Sequence, residues 1–190
     1  FETELKKFTK SKYVLTVING TSALHLAIIS LGIKKNEEIL IPSLSFAATG
    51  HAVLYNNSIP HFFDVNKNLT IDTLKLNEYL KRISIIRNGK CINKKTKRII
   101  KAIIPMHTFG HVCEMDELKK IAKRFKLFII EDAAEALGSF YKKKHAGTFG
   151  DIGVLSFNGN KIITTGMGGA LLTKNKKIFD KARHIAATSK

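Results

Sequence analysis

The segment Ile152-Gly153-Val154-Leu155-Ser156-Phe157-Asn158-Gly159-Asn160-Lys161 passes from an apolar run into a polar, glycine-containing loop. Upstream, Leu127-Phe128-Ile129-Ile130-Glu131-Asp132 is a second apolar run, and it closes on an aspartate. Short continuous apolar runs bounded by turn residues are typical of strands buried on both faces of a sheet. The two segments therefore predict buried strands whose carboxyl ends carry Asp132, Ser156 and, in the following loop, Lys161.

Outward from these segments, strand and helix patterns alternate along the chain. Strands are predicted at residues 13–18, 39–41, 61–65, 98–105, 127–132, 153–157 and 169–173. Helices are predicted at residues 23–31, 43–55, 72–83, 115–125 and 176–184, with Ser43 or Ser45 available to cap the second of them. This alternation predicts an α/β fold, a largely parallel sheet with helices on both faces. Ligands of such folds bind beyond the carboxyl ends of the strands.

The length and the cysteine content indicate the number of domains and the redox environment of the protein. The 190 residues fit one domain, residues 1–190. No apolar run approaches the roughly 20 residues that a membrane span needs. The two cysteines have no CxxC spacing, which predicts a reduced, cytoplasmic environment without a disulfide framework. Because the chain begins and ends within helical patterns, we also expect a piece of a longer protein.

The formal net charge is +17, and residues 79–113 contain nine Lys or Arg but no Asp or Glu. Such charge could serve a nucleic acid, an anionic surface or a phosphorylated substrate. Aromatic residues do not alternate with the cations, as base stacking would require, and no nucleic-acid motif is present. A solvated surface is therefore the favoured interpretation of the basic segment.

Lys161, Asp132 and Ser156 are the residue types that hold pyridoxal phosphate: an amine for the Schiff base, a carboxylate for the ring nitrogen and a hydroxyl for the phosphate. Each also has a simpler interpretation, as a surface lysine, a turn-capping aspartate and a strand-end serine. Lys161 nevertheless lies in a loop of small and polar residues that permits close approach of the backbone. An unpaired carboxylate at the end of an apolar strand, as at Asp132, is costly unless it has a partner.

Two further segments could contribute to the same site. Asn19-Gly20-Thr21-Ser22 is a strand-to-helix turn whose N–H groups and hydroxyls suit a phosphate, although it could equally be a simple helix cap. Phe46 could stack on a planar ring or belong to the core. His107 and His111 are four residues apart, but Pro105 and Gly110 indicate a loop and no third ligand is apparent, so no metal site is predicted.

Taken together, these segments resemble the DegT/DnrJ/EryC1/StrS family of pyridoxal-phosphate sugar aminotransferases. The resemblance rests on motifs in family order that cover nearly the whole chain: residues 19–27 (NGTSALHLA), 41–46 (IPSLSF), 62–65 (FFDV), 105–111 (PMHTFGH), 131–139 (EDAAEALGS), 147–151 (GTFGD) and 156–166 (SFNGNKIITTG). The Phe-Asn-Gly-Asn-Lys and Asp-Ala-Ala-Glu forms are nearest to the branch that aminates UDP-4-keto-6-deoxy-N-acetylhexosamines.

The resemblance implies fold type I and assigns a role to each site residue. Lys161 would be the Schiff-base lysine and proton shuttle, and Asp132 would pair with the pyridine nitrogen. The phosphate would lie against Gly20, Thr21, Ser22 and Ser156, and Phe46 would stack on the ring. Glu135 stands where the family usually has a glutamine near the ring hydroxyl, and a carboxylate there can only accept unless it is protonated. Met167 stands where the family commonly has a glutamate.

The activity implied is transfer of an amino group from glutamate to a keto group of a nucleotide-linked sugar. Family members are longer homodimers in which the partner completes each cofactor pocket. A dehydratase on the same scaffold is a rival interpretation, although that branch replaces the lysine with histidine. A basic nucleic-acid-binding module and an inactive truncated product also stay open at this point.

Overall fold

The computed structural model describes residues 1–188, which form a central sheet covered by helices on both faces. The helices are α1 Glu2–Thr9, α2 Gly20–Ser30, α3 Ala47–Tyr55, α4 Thr73–Ile83, α5 Met115–Phe125 and α6 Lys176–Thr188. The strands are β1 Tyr13–Val17, β2 Glu38–Pro42, β3 Ile59–Phe63, β4 Ser84–Arg87, β5 Lys90–Asn93, β6 Ile99–Ile103, β7 Phe128–Asp132, β8 Phe140–Tyr141, β9 Lys144–His145, β10 Ile152–Ser156 and β11 Gly169–Thr173.

The main sheet is mixed and mostly parallel, as the sequence predicted. Its order is β1-β11-β10-β7-β6-β2-β3, with the β4–β5 hairpin attached to β6. The five strands from β10 to β3 are parallel, and β11 is antiparallel to both of its neighbours. The carboxyl ends of β7, β6, β2 and β10 therefore meet at one edge of the sheet.

Alternate side chains of the strands supply two cores on opposite faces of the sheet. Ile39 and Ile41 of β2 pack with α2, α3 and α6, whereas Leu40 packs with α4 and α5. Helix α2 is apolar around most of its surface and is largely buried, whereas α5 is amphipathic. No helix within residues 1–188 is long and apolar enough to cross a membrane.

The structure corrects the predicted start of the second helix and shows a hairpin that was not predicted. The second helix begins at Ala47 rather than at residue 43, and neither serine caps it. The basic segment contains the β4–β5 hairpin, whose turn at Asn88-Gly89 has positive φ at both residues. Residues 133–139 form turns.

Loop 147–150 packs so closely on β10 that Gly153 has no room for a side chain. A Cβ atom at Gly153 would lie 1.9 Å from the carbonyl oxygen of Gly147. Gly153 pairs in register with Glu131 of β7, and the Glu131 carboxylate accepts the N–H of Gly147 at 2.8 Å. A glycine on β10 thus lets the loop reach the side chain on the neighbouring strand.

Replacing Gly153 with alanine should lower the free energy of unfolding by about 3 kcal/mol or more, because the obstructing atom is backbone and cannot rotate away. Denaturant unfolding of the two proteins measures the difference. Gly50→Ala is the matched control. The nearest atom to its new Cβ lies 3.9 Å away, and α3 should gain about 0.5–1 kcal/mol. Equal unfolding midpoints for Gly153→Ala and the wild type would contradict the packing described.

Candidate active site

A cavity of about 530 Å³ lies at the carboxyl edge of the sheet. The cavity is lined by the starts of α2 and α3, the segment after β6, the ends of β7 and β10, and the loop after β10. The lining residues are Asn19, Gly20, Thr21, Leu24, Phe46, Ala48, Met106, Asp132, Ala134, Ser156, Asn158, Gly159, Asn160, Lys161, Gly166 and Met167. Six of the eight residues predicted from the sequence are among them.

Asp132 is 3% exposed and is held by donors from two different segments. The hydroxyl of Thr49 donates to Oδ2 at 2.6 Å, and the N–H of Ala134 donates to Oδ1 at 3.3 Å. Burial raises the pKa of the Asp132 carboxyl, and these two hydrogen bonds oppose the rise only in part. The site therefore holds a buried carboxylate that a cationic or N–H donor would stabilise.

The Lys161 side chain is 11% exposed and ends between a carboxylate and an aromatic ring. Its Nζ lies 3.4 Å from Oε1 of Glu135 and 5.5 Å from the ring centroid of Phe46. The other oxygen of Glu135 accepts the N–H of Phe109 at 3.0 Å, which fixes the carboxylate. Lys161 is thus a positioned amine facing the cavity rather than a solvated surface lysine.

The amino terminus of α2 and the end of β10 form the opposite side of the cavity. The Asn19 side chain accepts the N–H of Ser22 at 2.8 Å, so it caps the helix. A Cβ atom on Gly20 would lie 3.0 Å from the Cβ of Ser156, so the absence of a side chain brings the helix start onto the strand end. Helix N–H groups, Thr21 and the Ser156 hydroxyl together offer donors for a phosphate.

Two of the predicted residues do not line the cavity. Ser22 has its N–H tied to Asn19, and Glu135 contacts Lys161 rather than the open space. Three further residues belong to the site. Asn19 lies in the turn that the sequence analysis named but was not among the predicted site residues, and Thr49 and Met106 were missed. Only Asn19 had a local signal, as the residue that precedes a helix, because the Thr49–Asp132 contact joins residues 83 positions apart.

His107 is a buried core residue. Its Nε2 lies 3.0 Å from Oε2 of Glu131, and its Nδ1 accepts the N–H of Cys113 at 3.2 Å. Within residues 1–188 no group of three or more His, Cys, Asp or Glu side chains could hold a metal ion.

A mixed sheet with a lysine, a buried aspartate and a helix amino terminus around one carboxyl-edge cavity defines the class of pyridoxal-phosphate-dependent transferases of fold type I. Within that class, the model of the DegT/DnrJ/EryC1/StrS aminotransferase family matches residues 1–190, and the chain belongs to this family. The family is pyridoxal-phosphate-dependent.

Three similar proteins illustrate the relationship. GDP-perosamine synthase of Escherichia coli O157:H7 is 40% identical over 97% of this chain and 47% of its own length. A DegT/DnrJ/EryC1/StrS aminotransferase from Brucella abortus superposes with a TM-score of 0.87 at 30% identity, over 97% of this chain and 48% of that one. A GDP-4-keto-6-deoxymannose-3-dehydratase with bound GDP-perosamine superposes with a TM-score of 0.80 at 28% identity, over 97% of this chain and 44% of that one. The chain thus spans about half the length of these relatives.

The raised pKa of Asp132 gives a signed prediction for the cofactor-free protein. As pH rises above the ordinary Asp pKa of about 3.9, the unfolded state loses this proton before the folded state does, so folding stability falls. Asp132→Asn removes this titration, so its stability relative to the wild type should increase between about pH 4 and pH 8. Thermal unfolding across this range measures the difference.

Asp64→Asn is the control, because it removes an exposed carboxylate and so reports the general effect of one lost negative charge. A stability difference for Asp132→Asn that is the same at both ends of the pH range would contradict the burial of an ionisable carboxyl at this position.

Proposed function

We propose that the full-length protein is a pyridoxal-phosphate-dependent aminotransferase that moves an amino group from glutamate to a keto group of a nucleotide-linked sugar. Residues 1–190 would be its cofactor-binding domain. The observation that carries the proposal is that two unlike groups line the same cavity, a positioned amine at Lys161 and a buried carboxylate at Asp132.

The residues present fit the cofactor. Asp132 has one short hydrogen bond from a hydroxyl and one long one from a backbone N–H, and burial raises its pKa. A protonated pyridine nitrogen would give this carboxylate the cationic donor that residues 1–188 do not supply in contact with it. The phosphate would lie at Gly20, Thr21 and Ser156, and Phe46 would cover the ring. When bound, pyridoxal phosphate supplies an electron sink for charge that develops at a substrate carbon.

The chain's own residues supply the proton transfers and the orientation. Lys161 Nζ would take a proton from the substrate carbon and return it, as a positioned amine can. Glu135 holds that amine at 3.4 Å and is itself fixed by the Phe109 N–H. Thr49 donates to Oδ2 of the Asp132 carboxylate, and this hydrogen bond would orient the carboxylate toward the cofactor ring.

The proposed substrate class rests on the relatives, whose names refer to GDP-linked sugars. The UDP-sugar branch and the glutamate donor stay predictions, as do homodimer formation and a cytoplasmic location. The dehydratase interpretation has a structural neighbour of that name. Lys161 occupies the position where the resemblance places histidine in dehydratases, so amino transfer is favoured.

Lys161→Ala should abolish covalent capture of pyridoxal phosphate, because no other amine lines the cavity among residues 1–188. Borohydride reduction of the full-length protein with the cofactor, followed by peptide mapping, should place the label on Lys161 of the wild type. Lys120→Ala is the matched control, since its amine is exposed and pairs with Glu117. Labelling of another lysine in the wild type would overturn the assigned role.

Amino transfer itself is tested with nitrogen-labelled glutamate and a panel of GDP- and UDP-linked keto sugars. The expected product is a sugar nucleotide that carries one labelled nitrogen, detected by mass. A product that loses a hydroxyl and gains no label would instead establish the dehydratase. A protein that captures the cofactor yet leaves every sugar unchanged would exclude the proposed substrates.

A further inference from the structure

A second cavity of about 530 Å³ lies at the opposite, amino-terminal edge of the sheet. Glu38 and Ile59, the first residues of β2 and β3, face each other there in register. The lining residues are Glu38, Ile59, Pro60, His61, Phe62, Tyr79, Arg82, Ile83, Asn93, Lys94, Lys95, Thr96 and Arg98. This amino-edge cavity shares no residue with the candidate active site.

The inner wall of the amino-edge cavity is a completed hydrogen-bond network. Glu38 is 2% exposed, and its Oε2 accepts from His61 at 2.8 Å and from Asn93 at 2.9 Å, while its Oε1 accepts from the Thr96 hydroxyl. The second ring nitrogen of His61 lies 2.8 Å from the Tyr79 hydroxyl. Both carboxylate oxygens are occupied by these donors, and among residues 1–188 Glu38 forms no ion pair with the Lys and Arg side chains of the cavity.

The mouth of the cavity is cationic. Arg82, Lys94, Lys95 and Arg98 are exposed there. Among residues 1–188, none of these four side chains forms an ion pair, although other surface lysines such as Lys81 and Lys120 do. The Lys94 amine donates to the carbonyl of Arg82 at 2.8 Å, which joins the two sides of the mouth.

The remaining lining is apolar or aromatic. Pro60, Phe62, Tyr79 and Ile83 contribute to it, with Phe62 60% exposed and the Arg82 guanidinium 5.7 Å from the Tyr79 ring centroid. Clustered cations of one sign attract an anion, and guanidinium groups bind phosphate oxygens through paired N–H donors. An apolar floor beside them suits the body of a small organic phosphate.

We infer that the amino-edge cavity binds a small phosphorylated anion, with Arg82, Lys95 and Arg98 on the phosphate groups. The ligand class covers nucleotides and sugar phosphates, which share the phosphate chemistry. The inference is independent of the proposed transferase activity, because no residue of the cavity takes part in that activity.

Calorimetric titration of the cofactor-loaded full-length protein with inorganic pyrophosphate at low ionic strength tests the inference. The double variant Lys95→Ala/Arg98→Ala should bind pyrophosphate about tenfold or more weakly, because two charge-assisted contacts are lost. Lys67→Ala/Arg124→Ala is the matched control, since it removes the same two residue types from outside the cavity, and it should bind as the wild type does.

A second variant tests the inference independently, in case the double variant misfolds the turn that carries Lys95 and Arg98. Arg82→Gln changes a residue on α4 and should also weaken pyrophosphate binding. Binding of UDP that is tighter than that of pyrophosphate, and that the Lys95→Ala/Arg98→Ala pair weakens, identifies a nucleotide. The same result with glucose 1-phosphate identifies a sugar phosphate. The inference is overturned if pyrophosphate does not bind, or if the control pair weakens binding as much as the cavity pair does.

Discussion

The fold around the candidate site depends on one buried carboxylate, that of Glu131 in the middle of the sheet. It is fully buried and accepts the N–H groups of Gly147, Phe149 and Gly150 at 2.6–2.8 Å, with His107 Nε2 3.0 Å away. A buried carboxylate is tolerated only when such donors replace its water. Glu131 therefore fixes loop 147–150 onto β7 and β10, the two strands that present Asp132 and Ser156.

Successive side chains of β7 point to opposite faces of the sheet, so the neighbouring carboxylates of Glu131 and Asp132 have different roles. The Glu131 carboxylate faces loop 147–150, and both of its oxygens accept hydrogen bonds from that loop. The Asp132 carboxylate faces the cavity and accepts two hydrogen bonds, one of them 3.3 Å long. The first carboxylate stabilises the fold. The second is costly to the isolated fold, as the raised pKa of Asp132 indicates, and becomes favourable only with a cationic partner. A register slip of one residue would exchange these two roles, so the strand pairing itself protects the site.

Local patterns predicted most of the fold and only part of the site. Helix α5 and strand β11 lie where periodicity placed them, because amphipathic spacing and buried apolar runs are properties of adjacent residues. The predicted start of α3 at residue 43 was wrong, because Ser43 and Ser45 offered helix caps that the chain does not use. Thr49 and the Lys161–Glu135 pair could not be found in this way. Their contacts join segments 83 and 26 positions apart, and only the tertiary fold brings those together.

The charge of the chain is distributed unevenly between the two edges of the sheet. At the carboxyl edge, the amine of Lys161 has the carboxylate of Glu135 as a partner. At the amino edge, the cations of the mouth have no acidic partner within residues 1–188. A net charge of +17 raises the local concentration of every anion, and salt screens this attraction over about 8–10 Å. A ligand that makes direct contacts with side chains at either edge should therefore still bind at an ionic strength that screens the attraction due to the net charge.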